Sequence, residues 1–192
     1  MYNRVQVKLR AKQVLGANFG LIFGTIIVGS LILGGLGVTG IGTLILAGPI
    51  GVGLALVQLS ALRGEQVEFG DMFKGFNNFG TNCGAGILVG LFTFLWSLLF
   101  FIPGIVKAYS YSMTFYILAD HPEMKATDAI TASRMMMKGR KWDLFVLDLS
   151  FFWWILLICV SCGVAAIYVE PYMELSRASF YEAIKDAPVE QA

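Results

Sequence analysis

The chain has 192 residues, of which 57% are hydrophobic and only 14% are charged, whereas soluble domains carry about 25% charged residues. This composition excludes an ordinary soluble domain and is typical of an integral membrane protein. The formal net charge of +1 gives no indication of nucleic-acid binding.

The N-terminal segment, residues 1–17, is basic and leads into a region without charged residues that ends at Leu62. A secretory signal peptide has a short apolar core and a small-residue cleavage site. The apolar region here is much longer and no such site clearly closes it, so we expect no cleaved signal. The basic residues of the segment are Arg4, Lys8, Arg10 and Lys12.

Glycine and proline interrupt each of the three apolar regions, and a membrane-spanning helix needs about 20 apolar residues. The pattern predicts an all-α integral membrane protein with six transmembrane helices in three hairpins, as a single membrane domain. The hairpins cover residues 19–62, 80–119 and 143–183, and a tail covers 184–192. The predicted spans are 19–36, 43–62, 80–101, 103–119, 143–160 and 163–183.

Two amphipathic segments follow the first and second hairpins. In residues 67–79, apolar side chains recur at i, i+3, i+4 and i+7, as in an α-helix that lies in the membrane interface. Residues 126–139 predict a second helix of this kind. Outside the predicted spans, basic residues lie only in the N-terminal segment, in the two loops that contain these helices, and in the tail. Since lysine and arginine concentrate in cytoplasmic loops, both termini are expected to be cytoplasmic.

Ionisable residues inside predicted spans are candidates for function, because such residues are rare in membranes and usually pair within the helix bundle. Helical rise places Lys107 and Glu170 at one depth, and Asp148 and Arg177 at another. The sequence therefore predicts two ion pairs, Lys107 with Glu170 and Asp148 with Arg177. For Lys107, an alternative is that its ammonium group extends to the lipid headgroups. The candidate functional residues are Lys107, Glu170, Asp148, Arg177, Glu174 and Tyr111.

No set of residues predicts catalysis. The single histidine, His121, cannot form a multi-histidine metal site, and the common nucleophile, phosphate-loop and zinc-protease motifs are absent. Cys159 and Cys162 form a C-x-x-C pair whose disulfide state is left open. We therefore expect a non-enzymatic protein without a catalytic site, metal or cofactor.

Residues 95–151 resemble the bacterial polytopic membrane family called domain of unknown function 975, and "EPYMELSRASFYEAI" (170–184) resembles its closing motif. The resemblance extends over nearly the whole chain and is most specific from 95 to 184. It implies a six-helix protein of the bacterial cytoplasmic (inner) membrane and supplies no activity. The matching residues are Trp96, Ile102-Pro103-Gly104, Lys107, Tyr111-Ser112-Met113, Asp120, Ser133-Arg134, Met137-Lys138-Gly139, Lys141-Trp142, Phe145, Leu149-Ser150-Phe151, Pro171-Tyr172, Ala178 and Phe180-Tyr181.

Two functions fit these observations. The first is a protein that handles or transports a lipid or a small solute, or assists a system that does, and it rests on the ionisable residues within the spans. The alternative is a structural or regulatory subunit of a larger membrane assembly. The expected partners are the lipid bilayer and other membrane proteins or a second copy of the chain. Glycines at four-residue spacing, as at Gly16, Gly20 and Gly24, can serve such contacts or packing within one chain.

Overall fold

A computed structural model of the protein describes residues 4–36, 41–99, 101–161 and 163–186. The secondary structure of this part of the chain is all helical, without strands, and comprises nine α-helices and one 3-10 helix, the segment Phe69–Phe76. The α-helices are α1 Arg4–Leu36, α2 Ile41–Arg63, α3 Phe79–Leu99, α4 Phe101–Tyr111, α5 Thr114–Asp120, α6 Ala126–Met136, α7 Lys141–Leu149, α8 Phe152–Val160 and α9 Ala166–Ile184.

Helix α2 lies at the centre of the bundle. The buried share of its apolar stretch is 61%, against 28% or less for the other long apolar helices, and it packs against α1, α3, α5, α9 and the 3-10 segment. Glycines make this packing possible. A Cβ atom on Gly48 would collide with the backbone of Asn82 in α3, and one on Gly53 would collide with the backbone of Met72.

Helix α1 is bent at Asn18, whose backbone is not helical (φ −125°, ψ 25°). The bend lies between the predicted basic segment, 1–17, and the predicted first span. The part before the bend buries Val7, Ala11 and Leu15 completely or almost so, because these residues recur every four positions on one helical face. Residues 4–17 of the N-terminal segment therefore form a docked helix, and α1 packs extensively against α9.

Four helical segments in the described part of the chain are long and apolar enough to cross a membrane, at Arg4–Gly35, Ile45–Arg63, Phe79–Leu98 and Lys141–Val160, the last of which combines α7 and α8. They correspond to predicted spans one, two, three and five. Predicted span four, which is divided into α4 and α5, is not among them. Predicted span six, α9, carries several ionisable residues. The long apolar helices thus agree with the composition of an integral membrane protein, whereas the count of six spans stays a prediction.

The carboxyl-terminal helices run antiparallel. Asp148 of α7 contacts Arg177 of α9, and Phe151, just beyond α7, packs on Tyr172 with ring centroids 5.1 Å apart. The later residue of the first pair of helices contacts the earlier residue of α9, so α7 and α8 run in the direction opposite to α9. Every residue of α8 is exposed or partly exposed in the isolated chain, as expected for a helix that faces lipid.

One end of the bundle, which we call the basic end, collects cationic side chains from three helices and a turn. Arg10 donates to the carbonyl of Leu62 at 2.9 Å, and Arg140 donates to the carbonyl of Ile184 at 3.1 Å. Arg63 and Lys185 both contact Glu182 there. These bonds cap the carboxyl ends of α2 and α9, where free carbonyls favour cations.

The two predicted amphipathic helices differ from expectation. Residues 67–79 contain the 3-10 segment rather than an α-helix, and Met72 and Gly75 are buried against α2. Two glycines in this short segment disfavour the α-helix. The second helix, predicted at 126–139, ends at Met136, and Gly139 adopts the left-handed conformation (φ +79°) that lets the chain turn.

Some predicted features lie outside the described residues. These are the centre of the first turn at 37–40, Cys162, and the tail beyond residue 186.

Candidate functional site

The predicted pairing of Asp148 with Arg177 is present in the interior of the bundle. Arg177 donates from Nε and from a terminal nitrogen to the two carboxylate oxygens of Asp148, each at 3.1 Å. The Asp148 side chain is 17% exposed and that of Arg177 is 38% exposed. The Tyr109 hydroxyl donates to the same carboxylate at 3.0 Å. Two parallel hydrogen bonds fix the guanidinium plane as well as its charge.

Polar contacts continue from Arg177 into the centre of the bundle. Glu174 lies one turn away on α9, 4.0 Å from the guanidinium, and accepts a long hydrogen bond of 3.4 Å from the amide of Gln58. Tyr116 donates to the other end of that amide at 3.1 Å. Gln58 and Tyr116 are almost completely buried, so their polar groups satisfy one another away from solvent.

Two cavities meet at Arg177. One, of about 200 Å³, lies between α4, α7 and α9 beside Tyr109 and Asp148. The other, of about 280 Å³, lies between α2, α5 and α9 beside Gln58 and Glu174. Ser112 and Arg177 belong to the walls of both cavities. These two residues therefore lie between the cavities.

The helix is interrupted where the cavities meet. Ser112 and Met113 separate α4 from α5, although neither residue is a glycine or a proline. Ser133 of α6 is fully buried and repairs the gap, since its hydroxyl donates to the carbonyl of Ser110 at 2.9 Å and accepts from the amide of Met113 at 3.2 Å. A single side chain thus satisfies two backbone groups that a continuous helix would bond internally.

A second charged cluster lies at the basic end, next to a cavity of about 450 Å³. Arg63 donates to Asp120 at 2.7 Å and to Glu182 at 2.6 Å. Lys185 lies 3.1 Å from Glu182 and 3.8 Å from Asp120, and the Tyr181 hydroxyl donates to Asp120 at 3.0 Å. Both carboxylates are therefore saturated by donors from α2 and α9.

Two stacked rings connect the clusters. Tyr116 and Tyr181 are parallel to within 21°, with centroids 5.6 Å apart. The hydroxyl of Tyr116 reaches towards the interior cluster and that of Tyr181 towards the basic end. A series of neighbouring polar side chains, contributed by several helices, therefore runs beside α9 from Tyr109 to Lys185.

The predicted pairing of Lys107 with Glu170 is wrong. The Lys107 ammonium lies 4.4 Å from the ring centroid of Trp96, a cation–π contact with α3, and Glu170 is exposed. The two residues lie on α4 and α9, and the principal contacts of α4 are with α3, α6 and α7. The equal depth predicted from helical rise was therefore not enough to make Lys107 and Glu170 neighbours.

Of the other sequence-predicted residues, Glu174 lines a cavity, while Tyr111 is buried against Phe92 next to the helix break. Sequence reasoning missed Gln58, Tyr116 and the whole cluster around Arg63. Gln58 could have been noticed as a polar residue in an otherwise apolar span. No group of three or more histidine, cysteine, aspartate or glutamate side chains that could hold a metal ion occurs among the described residues.

Comparison with known proteins supports the resemblance seen in the motifs. No curated protein and no solved structure matches the chain. Residues 100–188, which include the helix break, α6, α7 and all of α9, match the family described as "Protein of unknown function (DUF975)", so the resemblance is confirmed over these residues.

Proposed function

We propose that the protein is a non-enzymatic, multi-pass protein of the bacterial cytoplasmic membrane, with both termini in the cytoplasm. In this proposal the two cavities at Arg177 bind and pass a small solute, or a lipid headgroup, that carries an amino group. The observation that carries the proposal is that Arg177 and Ser112 line both cavities at an interrupted helix.

The charges of the site favour a cationic or zwitterionic ligand. Asp148 and Glu174 bring two carboxylates against the one guanidinium of Arg177. Asp148 is fully engaged, whereas Glu174 is 40% exposed and has only contacts of 3.4 and 4.0 Å. An ammonium group can bind to this weakly paired carboxylate at little desolvation cost to the site, since the carboxylate is already buried in part.

The interrupted helix supports passage rather than a closed binding site. Membrane transporters use broken helices at their binding sites, where non-helical backbone is tolerated because it lines a cavity. The break at Ser112 and Met113 lies at such a place. The clustering of basic side chains at one end of the bundle supports a cytoplasmic location for that end.

Liposomes provide the test. The purified protein would be reconstituted, and the uptake of radiolabelled ethanolamine and the transbilayer movement of a fluorescent phosphatidylethanolamine would be measured. Glu174→Gln is expected to abolish whichever activity the wild type shows. The matched control is Glu170→Gln, which makes the same chemical change on the same helix at an exposed position away from the cavities. Equal activity in the two variants, or no flux in the wild type, would refute the proposal.

The alternative, a subunit of a larger membrane assembly, is favoured by one surface. Gly16 and Gly20 on α1 have no atom within 4 Å of the position of an added Cβ atom, so this small-residue face is not used for packing within the chain. Cysteines at Gly16 and Gly20 would cross-link to a second copy or to another membrane protein if the face is an interface. Absence of any cross-link in native membranes would exclude that role for α1.

A further inference from the structure

An apolar groove with a volume of about 280 Å³ lies between α4 and α7. It is separate from the Arg177 cavities, with Tyr109 forming part of the wall between them. Several of its residues are strongly exposed in the isolated chain, with Trp142 at 70% and Val106 at 43%. The groove is lined by Ile105, Val106, Tyr109, Lys141, Trp142 and Phe145.

Cationic side chains are grouped around Lys141, in the wall of this apolar groove. Lys141 forms part of its wall, and Lys107 and Arg134 lie close enough to repel the charge of Lys141. The Lys107 ammonium lies over the face of Trp96. In the part of the chain that the structure describes, none of the three forms an ion pair with a carboxylate, including the nearby Asp143. Lys141 and the two cations that repel it are stabilised when an anion binds beside them.

We propose that this groove is a binding site for an anionic phospholipid. The acyl chain lies against Ile105, Val106 and Trp142, and the phosphate group is held by Lys141 together with Lys107 and Arg134. An amphiphile fits this surface because the groove is apolar while its surroundings are cationic. A purely apolar helix from another protein would cover the groove and leave the cations uncompensated. Trp142 is the kind of side chain that lies at headgroup level.

Lipid retention tests this site directly. The protein would be placed in nanodiscs that contain equal amounts of phosphatidylglycerol and phosphatidylcholine, released into detergent, and its bound lipids counted by native mass spectrometry. The wild type is expected to retain phosphatidylglycerol preferentially. Each lost cation near the membrane surface weakens binding about fivefold, or about 1 kcal/mol. The variant Lys107→Gln, Arg134→Gln, Lys141→Gln is therefore expected to lose the preference.

A matched variant keeps the test specific to the groove. Arg4→Gln, Lys12→Gln, Lys125→Gln removes the same number and kinds of charges from exposed positions elsewhere, and it is expected to retain phosphatidylglycerol as the wild type does. Val106→Trp fills the groove without changing any charge and is expected to release the lipid. Thermal unfolding of each variant verifies that it is folded.

Three outcomes would overturn the inference. Equal retention of phosphatidylglycerol and phosphatidylcholine by the wild type would exclude selectivity for anionic lipid. Equal loss in the groove variant and the matched variant would indicate attraction by overall charge. Displacement of the lipid by inorganic phosphate would show that the acyl chain contributes nothing. The result is independent of solute flux, since the groove does not include Arg177, Glu174 or Ser112.

Discussion

Arg63 and Arg177 both join α9 to other helices through ion pairs with carboxylates. The carboxylates around Arg63 are more fully hydrogen-bonded than those around Arg177. Arg63 bonds two carboxylates at the basic end, and Lys185 and Tyr181 satisfy those carboxylates further. Arg177 holds one carboxylate firmly, leaves Glu174 at 4.0 Å, and borders two cavities. Cavities border both clusters, so bonding distinguishes them: the carboxylates of the first cluster are held by several close donors, whereas Glu174 in the second keeps bonding capacity for a ligand.

The largest effect on stability is expected from Arg63→Gln. The substitution leaves Asp120 and Glu182, which are 12% and 9% exposed, facing each other with only Lys185 as a cation. Breaking a buried ion pair costs about 3–5 kcal/mol, and we expect about 2–3 kcal/mol here because Arg63 is 31% exposed. Thermal unfolding in detergent measures the loss. A melting temperature equal to that of Arg4→Gln would show that the cluster does not stabilise the protein.

Substitutions in the pair of Arg177 and Asp148 should reduce flux strongly and stability less than Arg63→Gln does. Arg177→Gln and Asp148→Asn are each expected to abolish flux and to destabilise the protein by about 1–2 kcal/mol, with the double variant about 1 kcal/mol better than the sum of the two losses. A double-mutant cycle on unfolding free energies gives this coupling. Additive losses of unfolding free energy would mean that the bidentate pair contributes nothing to stability. Flux retained by the variants would show that the pair is not needed for transport.

The two stacked tyrosines allow a finer comparison of the clusters. Tyr181→Phe removes a hydrogen bond to the charged Asp120, and Tyr116→Phe removes one to the neutral amide of Gln58. Hydrogen bonds to charged groups contribute about 1.5–3 kcal/mol and neutral ones about 1 kcal/mol. Tyr181→Phe is therefore expected to lower the unfolding free energy more. The opposite order would indicate that the basic end is the more hydrated of the two clusters.

The smallest effect is expected at an ion pair within one helical turn whose lysine is exposed, and this pair serves as the reference for both clusters. Lys74 and the backbone amide of Glu68 bond to Asp71 and hold the pKa of that carboxyl below its ordinary value. Its contribution is present above the ordinary aspartate pKa of about 4 and is lost as the pH falls through the lowered value. Wild-type stability should therefore fall slightly more than that of Asp71→Asn on acidification below pH ~4, as measured by unfolding at several pH values. An identical acid response would show that this pair has no effect on stability.

The sequence was informative where helix geometry alone determined the outcome. Asp148 and Arg177 were expected to pair because both lie within helices whose depth can be counted from the rise per residue, and α7 and α9 are neighbours. The same argument failed for Lys107 and Glu170, because depth does not specify which helices are adjacent. The cluster around Arg63 was missed because its members lie at helix ends, where charges look like ordinary loop residues.

The interruption between α4 and α5 was also beyond sequence reasoning. Neither Ser112 nor Met113 is a helix breaker, and the apolar stretch continues through them. The break depends on a partner far along the chain, the hydroxyl of Ser133, which takes over the bonds of Ser110 and Met113. Local propensity contains no information about such a long-range contact.

The position of Ser133 has a consequence for hydration of the bundle. Its hydroxyl serves one donor and one acceptor of the interrupted backbone, which is the work that a buried water molecule commonly does in proteins. If α6 moves away, these two backbone groups need water or a polar ligand in its place. The docked α6 therefore bonds these two backbone groups without a water molecule, although the cavities beside Ser112 lie next to them.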